Sequence, residues 1–449
     1  MAVAGLASFA LVFSILRYWF FRYAIVGDSI LIRDGILNRK QLDIGFDRIQ
    51  AVNTRQNLPY RMLGLTTVTF DSAGSSAEEG YLPAVRNEIA CDLRARIRRT
   101  PARIDTADAD VPAEKATEMR PIMQLSAGDI VLAGLSSGRV FLLLALLGPL
   151  GEVAEREIGE RIEENAVVEA LSSMQPDAGL GILLALGFVT LLLVVLLLAS
   201  VIGAFLRYHG FVLTADGDVL RSNAGLFTRH EHSVNRIKVQ SVAVTQNAIL
   251  RLFGRLRLRV RQAGGGREAS NRDFLVPISR DEHARAIGRE IFRQEYDGRA
   301  FDLRHAGFEP VSRQYVRSRT VVFGALPSCV AAALLWPAAG PMALLALAWV
   351  PVCALVVRQI HRRLGFAVSA EGLALRSGFI GSRVVVWLHR KVQRVSITQS
   401  PFQRRMHLAT LKLHLAAGSV RIPFIEDATA RHLRDYVLFK VESSPLPWH

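Results

Sequence analysis

Asp47 to Gly64 reads DRIQAVNTRQNLPYRMLG, and the chain carries this stretch three times. A second copy, NRIKVQSVAVTQNAILRLFG, ends at Gly254, and a third, HRKVQRVSITQSPFQRRMH, ends at His407. Gln50 aligns with Gln240 and Gln393, Gln56 with Gln246 and Gln399, and Arg61 with Arg251 and Arg404. Gln56 to Gln246 is 190 residues and Gln246 to Gln399 is 153, with no gap needed across the block. A fixed register over matched residue types marks an internal repeat, which must be read before any single residue. The same offsets carry Gly35 to Gly225 and Gly378, while Leu82-Pro83, Val276-Pro277 and Ile422-Pro423 follow the three copies.

One copy reads as several antiparallel strands and a closing helix. Ser29–Arg33 and Ile36–Ile44 flank Asp34-Gly35, a hairpin-type dipeptide. In the next strand Ile49, Ala51 and Asn53 fall on one side, with Gln50, Val52 and Thr54 on the other. Asn57 to Gly64 is expected to form one short helical turn, begun at Pro59 and ended by Gly64. Gly254 closes the second copy in the same way; His407 stands there in the third. Each proline is expected to open a final segment of helical spacing: Ile89, Leu93 and Ile97, then Ala286, Ile287 and Ile291 after a Ser279 cap, then Leu433, Val437 and Val441. The fold class is therefore α+β, an antiparallel sandwich with a C-terminal helix, built three times.

Apolar runs separate the copies. Half of the residues are hydrophobic, 21% are charged and mean hydropathy is +0.24, which suits alternating membrane and soluble parts. A transmembrane helix is expected over 1–20, closed by the aromatic and basic run Arg17 to Tyr23; a cleaved signal peptide is the rival, without a basic start or a small-residue cleavage site. The first unit follows over 21–100, a polar linker over 101–128 and a second span over 129–150, interrupted by Arg139. Residues 151–177 form an acidic loop, and 178–206 an uncharged stretch amply long for a bilayer. Unit two covers 207–295, a linker 296–319, and a hairpin of two apolar helices 320–357, turned at Pro337 to Pro341. Unit three covers 358–442. Arginine-rich flanks put all three units inside and the acidic loop outside.

The order of elements, with Gly35, Ile49-Gln50, Gln56, Arg61, Gly64 and Pro83 in the first copy, resembles the bacterial pleckstrin-homology-like (PH-like) domain. Three such units separated by spans are similar to the multi-pass, YdbT-like members of that family. This resemblance covers nearly the whole chain. It implies PH-like barrels with capping helices, a place in the bacterial cytoplasmic membrane, and another, smaller PH-like membrane protein as partner. It also suggests a role in envelope maintenance or in tolerance to membrane-active peptides. The chain departs from the pattern at His407 and at its N-terminus, where relatives carry two spans and this chain has room for one.

The formal net charge is +15. Positive-inside flanks and solvated strand faces account for most of it. Arg255, Arg257, Arg259 and Arg261 alternate with Leu256, Leu258 and Val260, which puts four guanidinium groups on one strand face. Beneath an anionic leaflet each such residue gains about 1 kcal/mol. Nucleic acid is not expected, because no aromatic platform interleaves the stripe. Arg61, Arg251 and Arg404 are candidates to grip a phosphate or a partner carboxylate, against the blander reading that each fixes its loop by bonding carbonyls. Gln56, Gln246 and Gln399 are read as loop locks.

Catalytic constellations are missing from the sequence. Cys91, Cys329 and Cys353 have no metal or disulfide spacing, His230-Glu231-His232 lacks further ligands, and Gly264-Gly265-Gly266 lacks a following lysine. No enzyme activity and no cofactor is expected. The expected function is an interaction platform in the membrane for lipids, proteins or both. A transport or export component is the alternative, and a lipid-modifying enzyme a weaker one.

Overall fold

Alternation in Ser29–Asp34, which buries Ile30 and Ile32 and turns their neighbours outward, starts the first unit. The computed structural model describes residues 16, 19–35, 39–46, 49–72, 80–99, 120–137, 178–262, 274–292 and 299–444. The expected span over 1–20, the linker over 101–128, the span over 129–150 with Arg139, the acidic loop over 151–177 and the Gly264–Gly266 run lie wholly or largely outside those residues.

Strands β1 (Arg22–Val26), β2 (Ser29–Asp34) and β3 (Lys40–Gly45) make one antiparallel sheet. Then come β4 (Ile49–Gln56), the short helix α1 (Leu58–Met62), β5 (Leu65–Ser72), β6 (Gly80–Arg86) and the closing helix α2 (Asn87–Arg99). Leu93 on α2 packs with Ile30, Phe70 and Leu82, and each such side chain gains roughly 1.5–3 kcal/mol on burial.

A short β7 (Arg120–Gln124) and the helices α3 (Ala127–Leu135) and α4 (Ala178–Tyr208) precede the second unit. That unit repeats the first: β8 (Val212–Asp216), β9 (Val219–Ala224), β10 (Arg229–Asn235), β11 (Val239–Gln246), α5 (Ala248–Leu252), β12 (Leu256–Gln262), β13 (Phe274–Ser279) and α6 (Asp281–Ile291). After β14 (Glu309–Pro310), a helical stretch over Gln314–Arg363 includes α7 (Leu326–Ala339) and α8 (Trp349–Arg363). The third unit follows as β15 (Gly365–Val368), β16 (Gly372–Ser377), β17 (Ser382–Leu388), β18 (Val392–Thr398), α9 (Pro401–Arg405), β19 (Leu408–Leu415), β20 (Gly418–Glu426) and α10 (Asp427–Glu442).

The sheets do not stop at the unit boundaries. Strand order is β1-β2-β3, then β6-β5-β4-β10-β9-β8-β7, then β13-β12-β11-β17-β16-β15-β14, then β18-β19-β20. The second half of one unit thus shares a seven-stranded sheet with the first half of the next. At the first join Gln56 faces Arg229, Arg55 faces His230 and Thr54 faces Glu231. At the second Gln246 faces Ser382, Thr245 faces Arg383 and Val244 faces Val384. Shifting the first set by the repeat offsets of 190 and 153 gives the second set residue for residue.

Three local expectations are corrected. Ile49 and Val52 both reach the core, although strict alternation separates them. A β-bulge between Ile49 and Ala51 resets the alternation, and it recurs between Val239 and Ser241 and between Val392 and Arg394, at the repeated glutamine. The prolines do not open the closing segment; Pro83, Pro277 and Pro423 sit inside β6, β13 and β20. The ladder slips there, between Thr66 and Val68 in the first unit for example, and a bulge tolerates a residue that cannot donate. Finally, Ser279 does not cap α6; its hydroxyl donates to the Arg280 carbonyl, and Ala284 rather than Ala286 enters the core.

Gly64 and Gly254 end their turns in the left-handed region at φ 65° and 60°, and His407 is held at φ 52° in the same place. A side chain there costs about 1–2 kcal/mol that glycine avoids. His407→Gly is therefore expected to raise stability by roughly 1 kcal/mol, read as a higher urea midpoint of the full chain in detergent.

The chain packs as two compact units. One, residues 125–211 with 224–227, holds α3 and α4. Gly134 lets the backbone of Val201 come close, and the Ser200 hydroxyl donates to the Gly134 carbonyl at 2.9 Å. The other, residues 1–124, 212–223 and 228–449, holds the sheets and the helical stretch 314–363. That stretch doubles back at Gly340, with φ 54°, so that Trp349 Nε1 donates to the Phe323 carbonyl at 3.1 Å. Helix begins at Gln314, ahead of the apolar run, where Arg319 lies over the rings of Tyr315 and Phe323 at 5.6 and 5.7 Å. Among the described residues two helical segments, Gly187–Tyr208 and Gln314–Arg363, are long and apolar enough to cross a membrane.

Candidate interaction surface

The repeated glutamines end β4, β11 and, one residue on, β18, and point back across the turn. Gln56, Gln246 and Gln399 Nε2 donate to the carbonyls of Leu65, Arg255 and Leu408 at 2.9, 2.9 and 3.0 Å. Each bond closes the loop that carries α1, α5 or α9. Gly35, Gly225 and Gly378 lie after β2, β9 and β16, at φ 114°, 117° and 152°.

Arg61, Arg251 and Arg404 sit on those short helices with exposed side chains. Their backbone carbonyls accept from Gly64, Gly254 and His407 at 3.3, 3.2 and 3.3 Å. No side-chain hydrogen bond from these arginines to a carbonyl is formed among the described residues, so the loop-fixing role falls to the glutamines. Beside the arginines stand apolar side chains that the repeat pattern did not single out. Met62 is 83% exposed and Leu252 81% exposed, with Leu63, Ile249, Phe253 and Met406 also turned outward. A charged and apolar tip of this kind recurs in every unit.

The tip of the second unit does not stand alone. Ala248, Arg251 and Leu252 line an open cleft with Gln359 and Arg363, at the basic end of α8, and with Ile380 from the β16–β17 turn. Arg363 donates to the carbonyls of Ile380 and Gly381 at 2.8 and 2.9 Å, which fixes one wall. Two guanidinium groups, an amide and apolar side chains in one cleft suit an anion with a greasy neighbour.

The arginine stripe lies where period two puts it. Leu256, Leu258 and Val260 are buried, while Arg257, Arg259 and Arg261 take the other face of β12 and Arg255 immediately precedes the strand. Arg257 Nε donates to the Pro277 carbonyl at 3.2 Å, and the other three also have partners. Arg257 is thus tied to the neighbouring strand β13. His230 and His232 stack at 6.1 Å, and among the described residues no group of three or more His, Cys, Asp or Glu is placed to hold a metal.

A buried lysine went unmarked in the sequence. Lys391 follows β17, is 1% exposed, and its Nζ donates to the Ile237 carbonyl in the second unit at 2.6 Å. Burial, with the neighbouring Arg390 charge adding to it, brings its ammonium down from the ordinary 10.5 to about 7. Lys238, 153 residues earlier, is buried at the equivalent place.

Residues 1–100, 177–295 and 321–440 each match the family described as bacterial PH domain. The chain belongs to the bacterial PH domain family. Each matched stretch contains one copy of the repeat, so the three sheet-and-helix modules are PH units. Over 435 residues the chain is 23% identical to UPF0699 transmembrane protein YdbT of Bacillus subtilis (strain 168), a match that spans 93% of this chain and 83% of that one. No solved structure matches it.

Proposed function

We propose that this PH protein is a multi-pass protein of the bacterial cytoplasmic membrane whose three PH units face the cytoplasm as a platform for anionic lipids and for other membrane proteins, a smaller PH-like protein among them. It performs no catalysis, and its service is envelope maintenance or tolerance to membrane-active peptides. The observation that carries this reading is the cleft where Arg251 and Leu252 meet Arg363 at the end of a segment apolar enough to cross a membrane. An interfacial headgroup would meet two cations there, with Leu252 and Ile380 reaching toward acyl chains. The similarity to a protein named as transmembrane supports the location.

Retention of anionic phospholipid by the detergent-purified chain, read by native mass spectrometry, tests the cleft. Arg251→Glu changes the local charge by two, and at about 1 kcal/mol per charge the loss is expected to be tenfold or more, with zwitterionic lipid unaffected. Equal retention by both proteins overturns the lipid reading. Co-purification in mild detergent tests the protein side: a preparation that never contains another membrane protein counts against the platform.

A further inference from the structure

Two joins inside the chain leave two matching edges outside it. In the second and third units, β10 and β17 give their outer edges to β4 and β11 of the preceding unit. The first unit's β3 holds the same place in its repeat as β10 and β17, and it has one strand neighbour, β2, among the described strands. The third unit's β18 holds the place of β4 and β11, and its one strand neighbour there is β19. Among the described strands, one end of the array is therefore an unused acceptor and the other an unused donor.

We infer that β18 of one copy of this chain pairs, antiparallel, with β3 of a second copy in the register of the two internal joins. The repeat offsets fix that register. Gln399 stands where Gln56 and Gln246 do, and Arg39 stands where Arg229 and Ser382 do. Thr398 then faces Lys40, Ile397 faces Gln41, Ser396 faces Leu42, Val395 faces Asp43 and Arg394 faces Ile44. None of these pairs sets like charges opposite one another, which would oppose the pairing.

The burial at β18 is that of an edge strand with room for a neighbour. Val242 and Val244 on β11 are buried beneath the second join, and their counterparts Val52 and Thr54 on β4 are half-buried at the first. Val395 and Ile397 on β18 are half-buried like the β4 pair, and Gln393 and Arg394 are exposed. The first join is also clamped by Arg94, the eighth residue of α2, on Glu231 and Thr54. The eighth residue of α10 is again an arginine, Arg434, while β3 carries Gln41 in the place of Glu231 and an exposed Asp43 two residues on. A partner strand thus finds apolar side chains on β18, and Arg434, which donates through Nε to Asp435 at 2.8 Å, stands at the helix position that Arg94 uses at the first join. An open edge pairs readily with another chain, and this edge has a complement on the same protein.

The contact uses different surfaces on the two copies, so it closes into a ring or runs on as a row. It deepens the platform reading by naming a partner. The test below reads the join itself, so it fails separately from lipid retention at the cleft.

Two differently tagged copies of the full chain, with Cys91, Cys329 and Cys353 replaced by serine, are co-expressed. One carries Thr398→Cys or Ile397→Cys and the other the facing Lys40→Cys or Gln41→Cys. Mild oxidation of membranes is expected to link the two tags for at least one of these pairs, and not when Ser396→Cys is set against Arg22→Cys. No link between tags in either facing pair overturns the inference, as does a link equally strong between Ser396→Cys and Arg22→Cys on β1. Cross-linking of β18 to a different protein while the two tags stay apart overturns it too.

Discussion

Trp387→Ala is expected to cost about 3–5 kcal/mol and to loosen two PH units rather than one. Trp387 is fully buried in the third unit's core, packed with Leu373, Leu411 and Leu413. Its strand, however, is shared: Trp387 faces Leu373 on β16 on one side and Ser241 on β11 on the other. Removing the indole leaves a cavity at the centre of a seven-stranded sheet, and the cost of such a void scales with how little the surroundings can collapse. Urea unfolding of the full chain in detergent gives the magnitude. Hydrogen exchange gives the reach: amides of β11 and β12 are expected to lose protection together with those of β16 and β17. Loss confined to the third unit would show that the join transmits nothing.

The second large effect is a pH dependence set by Lys391. Its folded pKa of about 7 lies below the ordinary 10.5. Below pH 7 both folded and unfolded chains hold the proton, and the cost of burying the ammonium is fully felt. Between about 7 and 10.5 only the unfolded chain binds it, so stability climbs with pH by about 1.4 kcal/mol per unit and levels off above. Lys391→Met abolishes that slope. At pH 7 or below the variant is expected to be more stable by a few kcal/mol, less the 1–3 kcal/mol for leaving the Ile237 carbonyl without its donor. Urea midpoints of the two proteins from pH 6.5 to 9 provide the comparison, since every other titrating group cancels in the difference. Parallel curves would mean that Lys391 keeps an ordinary pKa.

Much of each unit is written in the repeat. Gln56, Gln246 and Gln399 recur because each crosses the same turn to the same carbonyl. Gly64 and Gly254 recur because the backbone after that turn is left-handed, and His407 shows that the rule bends. The closing helices follow from their spacing. The joins are not legible in this way. Strands pair through backbone groups, which every residue but proline carries, so a paired edge and an open edge share one sequence pattern. One trace was present: β11 reads VQSVAVTQ, and its first six residues are all buried. Short side chains on both faces fit a strand covered from both sides, where a half-exposed strand alternates. The tips were missed for a different reason. Met62, Leu252 and Phe253 belong to turns too short for a period of two or 3.6 to mark them, so their exposure emerges only from the fold.

Equal register at both joins also bears on how such a protein can grow or shrink. The edge that the first unit offers to the second is the edge that the second offers to the third. A gene that lost its middle third would bring β4 against β17 with the facing positions still matched, and one that gained a further third would find the same seat waiting. Array length is thus open to evolution by duplication and deletion of whole units, whereas insertions within β4, β10, β11 or β17 are barred.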